Sequence, residues 1–213
     1  MSVDMDLSLY AVIDEEFLAG RDPAEVAAVL AANGASVVQY RAKRLASREF
    51  LKRARAVRDA LAGSGVPFIV NDRLDIALLC GADGVHVGQD DVAVTDARIL
   101  MGPGALIGVS VSTAAEAVGA EEDGADYLGA GAVFPTGTKT DAPLMGLDGL
   151  KAVRASVKLP VVAIGGLNKR NAAAAVAAGA DGLAFISELM CAGDLGAAAR
   201  ELRTIIDAAG RRR

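Results

Sequence analysis

Four times along the chain the same short phrase closes a helical run and leads into a strand: Gly34-Ala35-Ser36, Gly81-Ala82-Asp83, Gly124-Ala125-Asp126 and Gly179-Ala180-Asp181. Glycine just past a helix accepts the left-handed turn that ends it. The copies recur at intervals near two strand–helix units. They precede the second, fourth, sixth and eighth of eight strand candidates: Leu7–Ile13, Ser36–Tyr40, Pro67–Asn71, Gly84–Val87, Leu106–Val111, Tyr127–Gly131, Pro160–Ile164 and Gly182–Phe185. A helical pattern follows nearly every one, which argues for parallel βα units. An open doubly wound sheet also alternates, but no G-x-G-x-x-G joins a first strand to a first helix. Eight units in 213 residues predict an α/β fold, a (β/α)8 TIM barrel, with residues 1–213 forming a single domain. No composition shift or linker marks a second one.

Two helices show their periodicity best. Asp22-Pro23-Ala24-Glu25 reads as an N-cap, a proline at the first helical position and a glutamate closing a capping box. Val26, Val29 and Leu30 then supply an apolar face. Ser47 is expected to cap the next helix, with Phe50, Leu51, Ala54, Val57 and Leu61 inward and Lys52, Arg53 and Arg55 mostly outside.

Hydrophobic residues make up 53% of the chain, aromatics only 4%, and Trp is absent, so the core must be built from Ala, Val, Leu and Ile. The net charge of −5 argues against nucleic acid as a partner, since such binders carry a basic face. Arg211 to Arg213 read as a solvated basic tail at about 210–213. Cys80 and Cys191 make neither a zinc spacing nor a disulfide framework, and their apolar surroundings suggest buried free thiols. The acidic N-terminus does not read as a secretion signal, and no apolar run is long enough to span a bilayer. A cytoplasmic enzyme or binding protein, without a membrane partner, is expected.

A barrel of this kind carries its chemistry at the C-terminal ends of the strands. Gln39 and Arg41 share one face of the second strand and should point into the barrel mouth, with Lys43 just above. An interior ion pair or an anion site would each account for them. Asn71-Asp72 ends the third strand, and Gln89-Asp90-Asp91 follows the fourth. Asp72 and one of the later aspartates would converge across adjacent strand ends, a pair that Mg²⁺ uses when it also binds substrate phosphates and that also occurs as plain surface loop aspartates. His86, the only histidine, is expected inside the barrel, hydrogen-bonded there in preference to acid–base work. Gly129 and Gly131, if inward, leave room for a ring. Thr136-Gly137-Thr138-Lys139 reads as a phosphate clasp, not a P-loop, or as an ordinary hydrophilic loop. Gly165-Gly166 and Ser187 end the seventh and eighth strands, where barrels recurrently bind phosphate.

Taken in order, the motifs Gln39-x-Arg41-x-Lys43, Asn71-Asp72, Gly84-Val85-His86-Val87-Gly88-Gln89-Asp90-Asp91, Gly108-Val109-Ser110, Thr136-x-Thr138-Lys139, Ala163-Ile164-Gly165-Gly166 and Ile186-Ser187 resemble the thiamine phosphate synthase family. Any one is weak, but the ordered set is specific. The resemblance implies a transferase that joins hydroxymethylpyrimidine diphosphate to a thiazole phosphate, giving thiamine phosphate and diphosphate with Mg²⁺ as cofactor. It implies Asp72 and Asp91 as metal ligands, and Arg41, Lys43, Asn71 and Lys139 around the diphosphate, with Arg41, Lys43 and Lys139 catalytic. It further implies Gln39 and Ser110 on the pyrimidine substrate, and Thr136, Thr138, Gly166, Ile186 and Ser187 on the thiazole phosphate. Dissociative chemistry asks for electrostatics and alignment rather than a strong nucleophile, which accounts for a site without a Ser–His or Cys–His pair.

Two positions depart from the family pattern. Ser112 stands where relatives often carry His, and Ala132 where a Pro is common, a change expected to alter loop stiffness modestly. A related thiazole tautomerase uses that His and has lost much of the diphosphate set; this chain shows the reverse. A non-catalytic sensor of thiamine-pathway phosphates would not need Asp72, Asp91, Arg41 and Lys139 together. A sugar-phosphate lyase or isomerase lacks a placed interior Lys or Glu. The sequence leaves oligomeric state open, with a homo-oligomer among the options.

Overall fold

A computed structural model describes residues 5–137 and 143–210. The basic tail at 211–213 and the Thr138-Lys139 end of the clasp lie outside the described residues. Eight parallel strands close in chain order, as expected: β1 (Leu9–Asp14), β2 (Val37–Arg41), β3 (Phe68–Asn71), β4 (Gly84–Val87), β5 (Leu106–Val111), β6 (Tyr127–Ala130), β7 (Val161–Ala163) and β8 (Gly182–Phe185). Around them run α1 (Pro23–Ala32), α2 (Ser47–Ala60), α3 (Leu74–Cys80), α4 (Val94–Met101), α5 (Ala114–Glu122), α6 (Gly146–Ser156), α7 (Ala172–Ala177), α8 (Ser187–Met190) and α9 (Leu195–Gly210).

The repeated phrase has a specific task at the lower rim. Each glycine takes a positive φ: +102° at Gly34, +68° at Gly81, +90° at Gly124 and +113° at Gly179. The third residue then clamps the preceding odd-numbered strand from both sides of one residue. Ser36 Oγ accepts the Leu9 N–H while the Ser36 N–H donates to Leu9 O. Asp83 does the same at Phe68, Asp126 at Ile107 and Asp181 at Val161, with carboxylate bonds of 2.8, 2.7 and 2.9 Å. A polar group at a fixed place in the repeat thus satisfies strand N–H groups where a ladder begins.

Two apolar layers follow from the period-2 alternation of the strands. Tyr10, Val12, Val37, Ile69, Tyr127 and Val162 fill the barrel interior. Leu9, Ala11 and Ile13 face outward against the helices, where fully buried alanines such as Ala27, Ala54, Ala97, Ala117 and Ala175 allow close approach. Asp22 caps α1 by accepting the Ala24 N–H at 2.8 Å, as its sequence suggests. The inner face of α1 differs, however: Val26, Ala27 and Leu30 are buried, while Val29 is exposed. Ser47 is the first residue of α2 rather than its cap, and its hydroxyl accepts from Arg73. Cys80 is buried, and burial raises its thiol pKa. Cys191 is exposed, contrary to expectation, because it follows the single turn of α8, whose Leu189 and Met190 point inward instead. No helix among the described residues is long and apolar enough to cross a membrane.

Candidate active site

At the C-terminal ends of the strands lies a cavity of about 580 Å³. Arg41, Lys43, Asp72 and Asp91 contribute to its lining, as do Thr136, Gly166, Ile186 and Ser187. Two sets of residues far apart in sequence therefore share one space.

Arg41 ends β2 directly beside Asp14, its register partner on β1. The two side chains form an ion pair, and Asp14 is fully buried. The other Asp14 oxygen accepts the Glu16 N–H at 3.0 Å. Arg41 is both a structural partner and a cavity residue. Its Nε is buried with no hydrogen-bond partner among the described residues, a donor left over after Asp14 is served. Asp14 escapes sequence reasoning because Ile13-Asp14-Glu15-Glu16 reads as an ordinary acidic turn. The usable signal is its period-2 relation to Tyr10 and Val12, which makes it inward-facing.

Asp72 follows β3 in a left-handed conformation, φ +59°, unusual for a residue with a side chain. The Arg73 N–H donates back to Asn71 O at 2.7 Å and the Asp72 N–H to His86 O at 2.8 Å. The backbone there is fixed from both sides. The Asp72 carboxylate pairs with Lys43. Burial pushes its pKa up; Lys43 opposes this and the neighbouring Asp91 carboxylate adds to it. Asp91 is held by its own turn, its Oδ2 accepting the Gly88 N–H at 2.7 Å. Of the two aspartates after β4, it is Asp91 that meets Asp72. No group of three or more His, Cys, Asp or Glu suited to a metal occurs among the described residues. Two adjoining carboxylates are nonetheless a fitting donor set for a hard cation that takes its remaining ligands from water and phosphate.

Beneath the cavity a hydrogen-bonded chain crosses the barrel. Gln39 Nε2 donates to Tyr10 Oη at 2.8 Å, and Tyr10 Oη lies 2.7 Å from Tyr127 Oη. Tyr127 Oη is 3.2 Å from His86 Nδ1, and His86 Nε2 is 3.0 Å from Ser110 Oγ. Burial raises the pKa of both phenols. His86 is thus an interior hydrogen-bonded histidine, buried between Tyr127 and Ser110. Gly108 and Gly129 make room for it: a Cβ on Gly129 would lie 2.9 Å from the imidazole, and one on Gly108 only 2.4 Å. Gln39 reaches inward as expected, but to Tyr10. Asn71 is buried beside it, and a small void of about 30 Å³ connects this layer.

On the opposite wall, Gly165 and Gly166 have φ of +97° and +62°. A Cβ on Gly166 would lie 2.4 Å from Pro135 O, so the glycine pair serves close packing of two loops as well as any ligand. Ala132 is buried in that contact, its N–H donating to Pro143 O and its carbonyl accepting from Met145. Ile186 precedes α8, and Ser187 is its first residue. Ser112 does not stand free at the rim. Its N–H and Oγ donate to the Glu116 carboxylate at 2.7 and 3.0 Å.

Comparison with known proteins bears on what this arrangement serves. The profile described as thiamine monophosphate synthase matches residues 9–189. The chain belongs to the thiamine monophosphate synthase family. A thiamine-phosphate synthase of Moorella thermoacetica is 50% identical over 199 residues, covering 93% of this chain and 95% of the relative. That of Chloroflexus aurantiacus is 49% identical over 203 residues, covering 95% and 94%. The solved thiamine phosphate pyrophosphorylase of Pyrococcus furiosus superposes with a TM-score of 0.88 at 40% identity, covering 96% and 97% of the two chains.

Proposed function

We infer that this chain makes thiamine phosphate: it is a transferase that joins hydroxymethylpyrimidine diphosphate to a thiazole phosphate and releases diphosphate. The observation carrying this reading is one cavity with cations and paired carboxylates on one wall and glycines with a serine on the other. The bond between the pyrimidine methylene carbon and the diphosphate oxygen breaks, its electron pair leaving with diphosphate. The thiazole nitrogen then gives its lone pair to that carbon. Charge grows on the leaving group, and Arg41, Lys43 and Lys139 are the residues to meet it, with Arg41 and Lys43 lining the cavity. Asn71 also belongs to the diphosphate side. Gln39 and Ser110 orient the pyrimidine, and their bonds to Tyr10 and His86 fix them in advance. Such preorganisation lowers the cost of alignment. Thr136, Thr138, Gly166, Ile186 and Ser187 hold the thiazole phosphate. Asp72 and Asp91 would hold Mg²⁺, which would supply Lewis-acid neutralisation of the leaving diphosphate. Small charged substrates that do not cross membranes fit a cytoplasmic enzyme.

The test is direct. Both substrates, mixed with the chain and Mg²⁺, should yield thiamine phosphate and an equal amount of diphosphate; no product above an enzyme-free control would overturn the reading. Little turnover of a non-aromatic thiazole tautomer is expected, because a serine hydroxyl does not titrate near neutrality. Tautomer turnover that disappears in Ser112→Ala would favour the tautomerase reading instead.

A further inference from the structure

Exposed large apolar side chains are unevenly distributed over the described residues. Leu78 and Leu79 on α3, Val92 before α4, and Ile99 and Leu100 on α4 occupy one stretch of the outer wall. Ile99 is 78% exposed, Leu100 59% and Leu79 58%. They contribute little to the fold, since Val94 and Ala97 are the buried residues of α4. At the lower end of this face a recess of about 720 Å³ opens between Leu78, Met101 and Leu106. Clustered exposed apolar surface marks an interaction site.

The flanks differ in sign. On one side α2 presents exposed Arg48, Lys52 and Arg55. Arg55 and Arg58 reach the end of α3, donating to Leu79 O and Gly81 O at 3.3 and 2.9 Å, so the cations border the patch. On the other side α5 carries no cation: Glu116 and Glu121 are occupied by Ser112 and by the N–H groups of Lys158 and Leu159, while Glu122 and the following Asp123 are exposed.

We infer that this face binds a second copy of the chain, about a two-fold axis that runs parallel to the barrel axis along the α3–α4 seam. An isologous interface sets the same patch on both copies against itself. The strands close in chain order, so α2, α3, α4 and α5 follow one another around the wall. With parallel barrel axes, α2 of each copy stands opposite α5 of the other, and basic flank meets acidic flank twice around an apolar centre. With the two-fold axis across the barrel axis, α2 would meet α2 and α5 would meet α5, which like charges oppose. Helices after parallel strands all run from mouth to base, so Arg55 and Glu122, both late in their helices, lie at similar heights. The inference is independent of the reaction assigned above. It does touch the site: Val92 adjoins Asp91, and the partner would buttress the turn that holds that carboxylate.

Sedimentation velocity on the full chain tests it. A species of about twice the 21.6 kDa chain mass is expected. Ile99→Glu should raise the dissociation constant at least ~100-fold, because the symmetry introduces the charge twice at the centre of the interface. Circular dichroism should stay unchanged, since the side chain is exposed. Arg55→Glu and Glu122→Arg should each weaken the dimer roughly tenfold, and combining them should restore it to within about threefold. A chain that is monomeric at about 100 µM, or a dimer indifferent to Ile99→Glu, overturns the proposal and leaves the face to another protein. A dimer lost in Ile99→Glu but not restored by the combined exchange overturns the parallel arrangement.

Discussion

At the lower rim, Asp83, Asp126 and Asp181 each accept an N–H at the start of the preceding strand, and Arg98 and Arg154 pair with the second and third of them at the half-exposed surface. At the upper rim, Asp14, Asp72 and Asp91 meet arginine, lysine and one another. The residue type is the same, but the physics is not. A carboxylate that closes a backbone bond at a repeated place is satisfied once the barrel has closed. Carboxylates and cations gathered from β1, β2, β3 and the loop after β4 remain partly unsatisfied, as the spare Arg41 Nε shows. Acids at the base therefore act through stability, as does the buried Asp14, whereas Asp72 and Asp91 at the mouth are proposed to act through binding and rate.

Arg41→Ala should break this division most sharply, because Arg41 belongs to both categories. Removing it strands the buried Asp14 charge, which typically costs about 3–5 kcal/mol. It also removes the cation proposed to face the leaving diphosphate, a loss expected to cost about 10²–10³ in kcat. Urea melts and steady-state kinetics on the same preparation separate the losses. A variant as stable as the parent would show that Asp14 does not depend on Arg41. Asp91→Asn should respect the division. The amide oxygen can still accept the Gly88 N–H, so stability should change by less than about 0.5 kcal/mol. Activity should fall by at least ~10² and lose its response to added Mg²⁺. Full activity of the parent in excess chelator would remove Asp72 and Asp91 from any metal role.

The lower rim predicts the converse. Asp181→Ala leaves the Val161 N–H without its carboxylate partner and should cost about 1–3 kcal/mol, with kcat and both KM values unchanged. Asp181→Asn, which keeps an acceptor, should recover most of that loss. A kinetic defect in Asp181→Ala at full stability would mean that the two rims communicate.

The helix ends of the lower rim and much of the upper rim were legible in the sequence; the clamps made by Ser36, Asp83, Asp126 and Asp181 were not, because a hydrogen bond to the neighbouring strand leaves no mark in spacing. Gly-Ala-Asp phrases mark helix ends because few residues other than glycine tolerate the required φ. β-branched runs mark the strands, and their ends locate the cavity. Period-2 alternation correctly sends Gln39 inward and Arg41 to the mouth. What it could not reveal was pairing across the barrel. The match of Asp14 with Arg41 is a matter of register between strands, and the line from Gln39 through Tyr10 and Tyr127 to His86 joins four strands. Val29 and Cys191 failed for a different reason. Apolar composition does not tell which side of a short helix faces the barrel: Ala27 is buried on α1 in place of Val29, and Leu189 and Met190 are buried on α8 in place of Cys191. The dual use of Gly166, in loop packing as well as ligand approach, also needed three dimensions.

The smallest expected effect comes from Ser187→Ala, and it tests whether the upper rim contains two separable walls. Ser187 is exposed at the first position of α8. Its carbonyl accepts the Cys191 N–H at 2.9 Å, a backbone bond that alanine retains. Stability should therefore stay within about 0.5 kcal/mol of the parent. The phosphate it is assigned to is neither made nor broken, so its charge is the same in substrate and transition state. An interaction of equal strength in both raises KM when removed and leaves kcat alone. The expected result is a several-fold rise in KM for the thiazole phosphate, smaller if backbone N–H groups near Gly166 and Ile186 carry most of the contact, with KM for the pyrimidine diphosphate unchanged. Varying each substrate in turn gives the answer. Abolished turnover in Ser187→Ala, paired with a mere thiazole KM effect in Arg41→Ala, would mean that the leaving diphosphate sits on the glycine wall and that the two walls have been assigned the wrong way round.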